Sequence, residues 1–135
     1  MPEKIYNTPL VKKLGIKEDC RLLLVDAPHD FMTKLTPMPD GVEIAPTKGE
    51  PIDVAVLFVT ESAVLKKEFP KLKKRLAKTG GLWVAYPKKA SKVETDIIFE
   101  VVQELGLSLG LVDNKICAVD DIWTGLRFVY RKTDR

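Results

Sequence analysis

The stretch Asp53–Thr60, DVAVLFVT, is apolar without a break from Val54 to Val59 and polar at both ends. A run of this length, rich in β-branched residues and lacking alternation, reads as a strand covered on both faces, the kind found inside a mostly parallel sheet. It is expected near the centre of that sheet. Following it toward the carboxyl end, ESAVLKKEFPKLKKRLAKTGG carries Leu65, Phe69, Leu72 and Leu76 at helical spacing, an apolar stripe suited to packing on a sheet. Pro70 predicts a kink or a second helix beginning there, and Gly80 with Gly81 predicts its end. The strand GLWVAY follows at once. Beyond it, Thr95 reads as a helix cap with Asp96 in the first turn, and Ile97, Ile98, Val101, Val102 and Leu105 form a buried face that Gly106 should terminate. The chain closes with NKICAV and GLRFVYR, the latter alternating Leu126, Phe128 and Tyr130 with Arg127, Val129 and Arg131, joined through VDDIWTG as an antiparallel hairpin.

Toward the amino end, RLLLVDA from Arg21 to Ala27 is a second strand with little alternation. Before it, Thr8 and Pro9 make a helix entrance, with Thr8 as the cap and Gly15 as the stop after Leu14. After it, Pro28, Pro37 and Pro39 leave room for only a brief helical turn around DFMTKL before the strand-like GVEIA. This order of elements predicts an α/β fold over residues 1–135 as one domain, a three-layer sandwich with a mostly parallel, Rossmann-like sheet and a C-terminal antiparallel hairpin.

Composition narrows the function. The 135 residues are 45% hydrophobic and 30% charged, enough apolar material for a core without metals or disulfides. A net charge of +3, from 22 basic and 19 acidic residues, is too small to imply a nucleic-acid partner by itself. Cys20 and Cys117 lie outside any CxxC or Cys/His cluster and read as buried thiols in a reducing compartment. The start MPEKIYNTPL lacks the apolar run of a signal peptide, and no segment approaches the roughly 20 apolar residues that span a bilayer, so a cytoplasmic location is expected. One histidine, with no GxSxG, HExxH or P-loop pattern, excludes the standard hydrolase, zinc and nucleotide sites.

From DVAVLFVT through LAKTGGLWVAYPKK to GLRFVYR, the chain resembles the latter part of class I S-adenosylmethionine-dependent methyltransferases, which carry a glycine pair before their fifth strand and finish with an antiparallel pair. In detail, YPKKA and DDIWTGLRFV resemble the short bacterial proteins grouped as domain of unknown function 3052, a family with no established activity. The methyltransferase resemblance implies a glycine-bearing cofactor turn after the first strand and an acid after the second. Here the first place reads DAPHDF, which has no glycine and in which Pro28 lacks a donor, while GVEIAP ends in Ala45 and Pro46. Both contacts are missing together, so the chain reads as a shortened methyltransferase-like shell with no cofactor bound in the usual way.

Three groups of residues are candidates for a site. Asp26, His29 and Asp30 sit at the carboxyl end of the first strand, where α/β folds place ligands, although Asp30 or His29 serving only to cap the short turn is the plainer reading. Lys88 and Lys89, with the Ser91 hydroxyl, follow GLWVAY at its carboxyl end and suit an anion entering the same crevice as His29. Trp123 could wall a pocket or cover the sheet edge, and Arg127 could clamp a carboxylate. The helix bearing Lys66, Lys67, Lys71, Lys73, Lys74, Arg75 and Lys78 presents a basic face that reads as solvated. Together these favour a non-catalytic module that binds a small anion or a protein. The alternatives are a methyltransferase with a relocated cofactor site, in which Asp26 accepts cofactor hydrogen bonds, and weak nucleic-acid binding through the basic helix. A second copy of the chain is a further candidate partner, at the sheet edge left by the hairpin.

Overall fold

The computed structural model describes residues 8–46 and 49–135. Its 6-stranded sheet has the order β2-β1-β3-β4-β6-β5, with β1 Arg21–Val25, β2 Glu43–Ile44, β3 Ile52–Phe58, β4 Leu76–Pro87, β5 Leu111–Ala118 and β6 Trp123–Tyr130. The first four strands are parallel, and β6 runs antiparallel to both β4 and β5. The helices are α1 Leu10–Lys13, α2 Ser62–Arg75 and α3 Phe99–Ser108. The mostly parallel α/β sandwich, its central Asp53–Thr60 strand and its closing hairpin are as the sequence predicts. None of the helices among the described residues is long and apolar enough to cross a membrane.

The strands β3 and β4 are buried on both faces, and alternate residues of each feed two separate clusters. On one face Ala55, Leu57, Leu82, Val84, Leu126 and Phe128 pack with Leu65, Phe69 and Leu72 of α2 and Val102 of α3. On the other, Val54, Val56, Phe58, Trp83 and Ala85 pack with Val11 and Leu14 at α1 and with Phe31 and Leu35. Both long helices therefore lie on one side, and the other side is closed by short pieces. Trp83, fully buried, satisfies its indole N–H by donating to the Leu14 carbonyl at 2.9 Å, which fixes the end of α1 to the sheet.

The first crossover contributes the rest of that layer. A 3-10 turn, Phe31–Leu35, replaces a crossover helix, and Phe31 stands edge-on to Phe58 at 4.9 Å between ring centroids. Phe58 in turn meets Trp123 edge-on at 5.2 Å, so three aromatic rings run from the crossover across β3 to β6. An ion pair of 2.7 Å between Lys34 and Asp120 ties the same turn to the hairpin.

Several boundaries differ from those predicted. Thr8 does not cap α1, which has no side-chain cap; the Pro9 carbonyl accepts from Lys12 and Lys13 instead. Pro70 lies inside a single helix that neither divides nor restarts there. That helix ends at Arg75, and Gly80 and Gly81 are already within β4, so they serve packing rather than termination. Gly80 lies close to the β3 backbone, since a Cβ there would fall 2.7 Å from the Asp53 carbonyl oxygen. Gly106 does not stop α3 either; it lies within the helix, where the Phe128 ring occupies the space its side chain would fill, and the left-handed residue that follows the helix is Gly110, at φ +88°. GVEIA is strand only at Glu43–Ile44, and Trp123 and Thr124 belong to β6 rather than to the hairpin turn.

Truncating the ring that starts the crossover layer removes a fully buried side chain and its edge-on contact with Phe58. Phe31→Ala should lower the unfolding free energy by about 3–5 kcal/mol in urea denaturation. Lys34→Ala, which removes a partly exposed ion pair, should cost less than about 1 kcal/mol in the same experiment.

Candidate ligand site at the carboxyl end of the sheet

The strand order reverses between β1 and β3, the place where open α/β sheets usually hold ligands. Here the chain leaves β1 through Asp26, whose φ of +57° is the left-handed conformation that a glycine would adopt more readily. Aspartate is one of the few residues that tolerates it. No α-helix then begins: the Pro28 carbonyl accepts from Phe31 N–H, the Asp30 carbonyl accepts from both the N–H and the hydroxyl of Thr33, and the 3-10 turn buries Phe31 and Leu35. Asp30 thus acts through its backbone and not through a side-chain cap. His29 and Asp30 are exposed, and without a following helix there is no helix N-terminus to receive a phosphate.

The opening lies one strand further along. A groove of about 710 Å³ runs between the end of β4, the start of α3 and the hairpin. Tyr86, Pro87, Lys88 and Lys89 form one side, Val93, Ile98, Phe99 and Glu100 another, and Ile116 with Thr124 the third. Its apolar lining is unusually open to water, with Ile98 53% and Ile116 55% exposed. The Lys88 N–H donates to the Ile122 carbonyl at 2.7 Å, holding the exit of β4 against the hairpin turn. Burial, and secondarily the Glu100 carboxylate, push the Tyr86 phenol above its ordinary range, so it enters the groove protonated.

Of the predicted site residues, the structure brings Lys88 and Lys89 together in this groove and leaves the others elsewhere. Ser91 turns back on its own loop, donating to the Lys88 carbonyl at 2.6 Å and accepting from Val93 N–H. Trp123 packs on Phe58 as a structural cover. Arg127 lies across Gly81 and lines a separate cavity of about 240 Å³ with Lys78, Thr79 and Arg135. Two further cavities lie elsewhere: one of about 640 Å³ between α1 and the Pro37–Asp40 segment, and one of about 420 Å³ lined by Thr60, Glu61, Glu94, Thr95 and Asp96. None of the four is lined by Asp26, His29 or Asp30. Among the described residues, no three Asp, Glu, His or Cys side chains converge in a metal-binding arrangement. Burial pushes both thiols up, Cys20 being buried and Cys117 half-buried.

The basic residues expected on one helix are partly consumed by structure, and Lys78 belongs to β4 and not to that helix. Arg75 donates to the Pro46 and Glu50 carbonyls at 2.7 Å each, Lys73 donates to the Leu109 carbonyl, and Lys78 sits 4.2 Å over the Tyr130 ring. Sequence reasoning also missed where two acids go. Asp96 does not serve its own helix; its carboxylate accepts from the N–H and the hydroxyl of Ser62 at 2.7 Å each, and these bonds hold it below the usual carboxylate range. Thr95, expected as the cap of α3, donates to the Thr60 carbonyl. Asp120 accepts from the N–H groups of Ile122 and Trp123 at 2.8 Å, an Asx turn whose signal is the VDDI turn composition itself.

The sheet order, its reversal between β1 and β3 and the terminal antiparallel pair define a methyltransferase-like α/β fold. Among solved structures the chain is similar to DhpI in complex with SAH, with 11% identity, a TM-score of 0.63 and coverage of 97% of this chain and 87% of that one. It is also similar to the fibrillarin pre-rRNA processing protein of Methanococcus jannaschii, at 15% identity, a TM-score of 0.58 and coverage of 96% and 76%. A SAM-dependent methyltransferase from Aquifex aeolicus matches at 16% identity with a TM-score of 0.53, covering 94% of this chain and 88% of that one. No protein-family model matches the chain, and no curated protein matches its sequence. At these identities the likeness shows the fold.

The Asp120 carboxylate gives the pH dependence a sign. Burial would raise it, but the Lys34 ammonium and the N–H groups of Trp123 and Ile122 outweigh burial and hold it below its ordinary value. Its contribution to stability is therefore complete above the unfolded carboxylate range and is lost as pH falls through the folded value. Asp120→Asn should lower Tm at neutral pH, and the difference from wild type should vanish toward strongly acid pH in a calorimetric series.

Proposed function

We propose that this chain is a non-catalytic binding domain on a methyltransferase-like fold, and that it takes a small amphiphilic anion, an apolar body with one acidic head, into the groove beside β4. The observation that carries this reading is the pairing of Lys88 and Lys89 with exposed Val93, Ile98 and Ile116 around one cavity of ligand size. The apolar wall favours the body of such a molecule, and the two ammonium groups favour its carboxylate or phosphate. Glu100 at the same rim disfavours a doubly charged head, which points to a monoanion.

A second reading has its own support. DhpI is in complex with SAH, so a methyltransferase with a relocated cofactor contact, made by Asp26, is the competing function. Against it stand the features of the first turn: no glycine, no helix start, and Phe31 seated where the crossover closes on Phe58. Assignment to domain of unknown function 3052, a bacterial family, is a proposal resting on YPKKA and DDIWTGLRFV, and a cytoplasmic location is one resting on the polar start MPEKIYNTPL and the shortness of the apolar segments. A nucleic-acid role for the basic helix has less support, since Lys73 and Arg75 are engaged with main-chain carbonyls.

Calorimetric titration with octanoate and with S-adenosylhomocysteine separates the readings. We expect saturable octanoate binding that Lys88→Ala together with Lys89→Ala weakens by about tenfold, the loss of a charge-assisted contact, and no heat from S-adenosylhomocysteine. Binding of S-adenosylhomocysteine that disappears in Asp26→Asn, a substitution that keeps the left-handed backbone accessible, would establish the methyltransferase reading instead.

A further inference from the structure

We propose that the cleft at the amino end of β4, floored by Arg127 and rimmed by Arg135, binds a phosphoryl group, the tetrahedral head of a small phosphomonoester. The cleft lies at the opposite end of the sheet from the Lys88 and Lys89 groove and stands independently of it.

Arg127 and Arg135 line one cavity of about 240 Å³ together with Lys78, Thr79 and Asn114. Neither arginine takes part in any of the three ion pairs found among the described residues. Carboxylates on neighbouring strand positions are committed elsewhere: Asp53 accepts from Arg21 N–H at 2.9 Å, and Asp113 accepts from the Gln103 amide at 3.3 and 3.4 Å. The Arg127 guanidinium is half-buried and has no hydrogen-bond acceptor among the described residues. Burial, and then the charge of Arg135, hold it below its usual value, so the folded chain carries an electrostatic cost there that an anion would relieve.

The positions of the cations are set by packing. Arg127 reaches the cleft by lying flat on β4 at Gly81, where a Cβ would fall 2.4 Å from its Nε and 2.7 Å from Cζ and one terminal nitrogen. Tyr130 holds the flanking arginine, its carbonyl accepting from Arg135 Nε at 3.0 Å, while its ring, on the α2 side of the sheet, takes the Lys78 ammonium at 4.2 Å. Among the described residues, only Nε of the Arg135 guanidinium is engaged, with the Tyr130 carbonyl. A planar carboxylate uses one such fork, whereas a phosphoryl group offers three oxygens and up to two charges to two arginine forks. The volume admits that head and excludes a nucleotide from the cleft itself.

The test follows the arginine Nε–H signals in proton–nitrogen spectra during titration with inorganic phosphate and, separately, glycerol phosphate, with sodium chloride at matched ionic strength. The Arg127 signal should shift saturably with both phosphates and not with chloride, and Arg127→Gln and Arg135→Gln should each weaken binding by about tenfold. Gly81→Ala should do the same while preserving the backbone spectrum, because the group it displaces is the end of a flexible side chain. A shift that merely tracks ionic strength, or phosphate affinity unchanged in Arg127→Gln and Gly81→Ala, would overturn the site. Binding of inorganic phosphate without glycerol phosphate would overturn the phosphomonoester assignment.

Discussion

The structure depends on covering both faces of β3 and β4 with a chain that supplies only two long helices, both on the same side. The strands are apolar throughout, so the second face cannot be left to water without exposing a patch larger than a soluble domain tolerates. Large aromatic side chains and short turns do the work of a helical layer: Trp83 anchored on Leu14, and Phe31 meeting Phe58, and Phe58 meeting Trp123, edge to face. Each ring removes far more apolar surface than an aliphatic side chain, which is why one helical turn and one 3-10 turn suffice.

This cover determines where a ligand can enter. A crossover that must bury Phe31 and Leu35 cannot also present a helix N-terminus at the β1 exit, and the Lys34 to Asp120 pair holds it against the hairpin. The usual crevice is thereby spent on stability, and the carboxyl end of the sheet opens at β4 instead. There the starts of α2 and α3 are bound to one another, Asp96 receiving Ser62 and Thr95 donating to Thr60. Those contacts hold the start of α3 in place as a wall of the Lys88 and Lys89 groove.

What could be read from the chain follows the range of the interaction involved. Strand character, the closing hairpin and the grouping of Lys88 with Lys89 depend on local pattern and on position after a strand, and these were legible. Helix ends were not, because the same residue types serve two purposes. Thr95 and Asp96 have the composition of a cap, but their partners, Thr60 and Ser62, lie more than thirty positions away. Pro70 lacks one backbone donor, a local loss that the burial of Phe69 and Leu72 on the sheet outweighs. Trp123 and Arg127 are neighbours in the sequence and share one face of β6, yet one points toward the aromatic row and the other toward the opposite end of the sheet.

The glycines carry the same lesson to its structural conclusion. Gly81 and Gly106 read as stops, but each is a vacancy shaped by β6: Arg127 lies in the space at Gly81 on one face, and the next residue, Phe128, fills the space at Gly106 on the other. Consecutive residues of a strand point to opposite sides, so one short segment demands room from β4 and from α3 together. A side chain at either glycine would meet a group already in place. The glycine pair before GLWVAY is therefore explained by what lies against it across the sheet, and the cationic cleft exists because Gly81 lets an arginine rest on bare backbone.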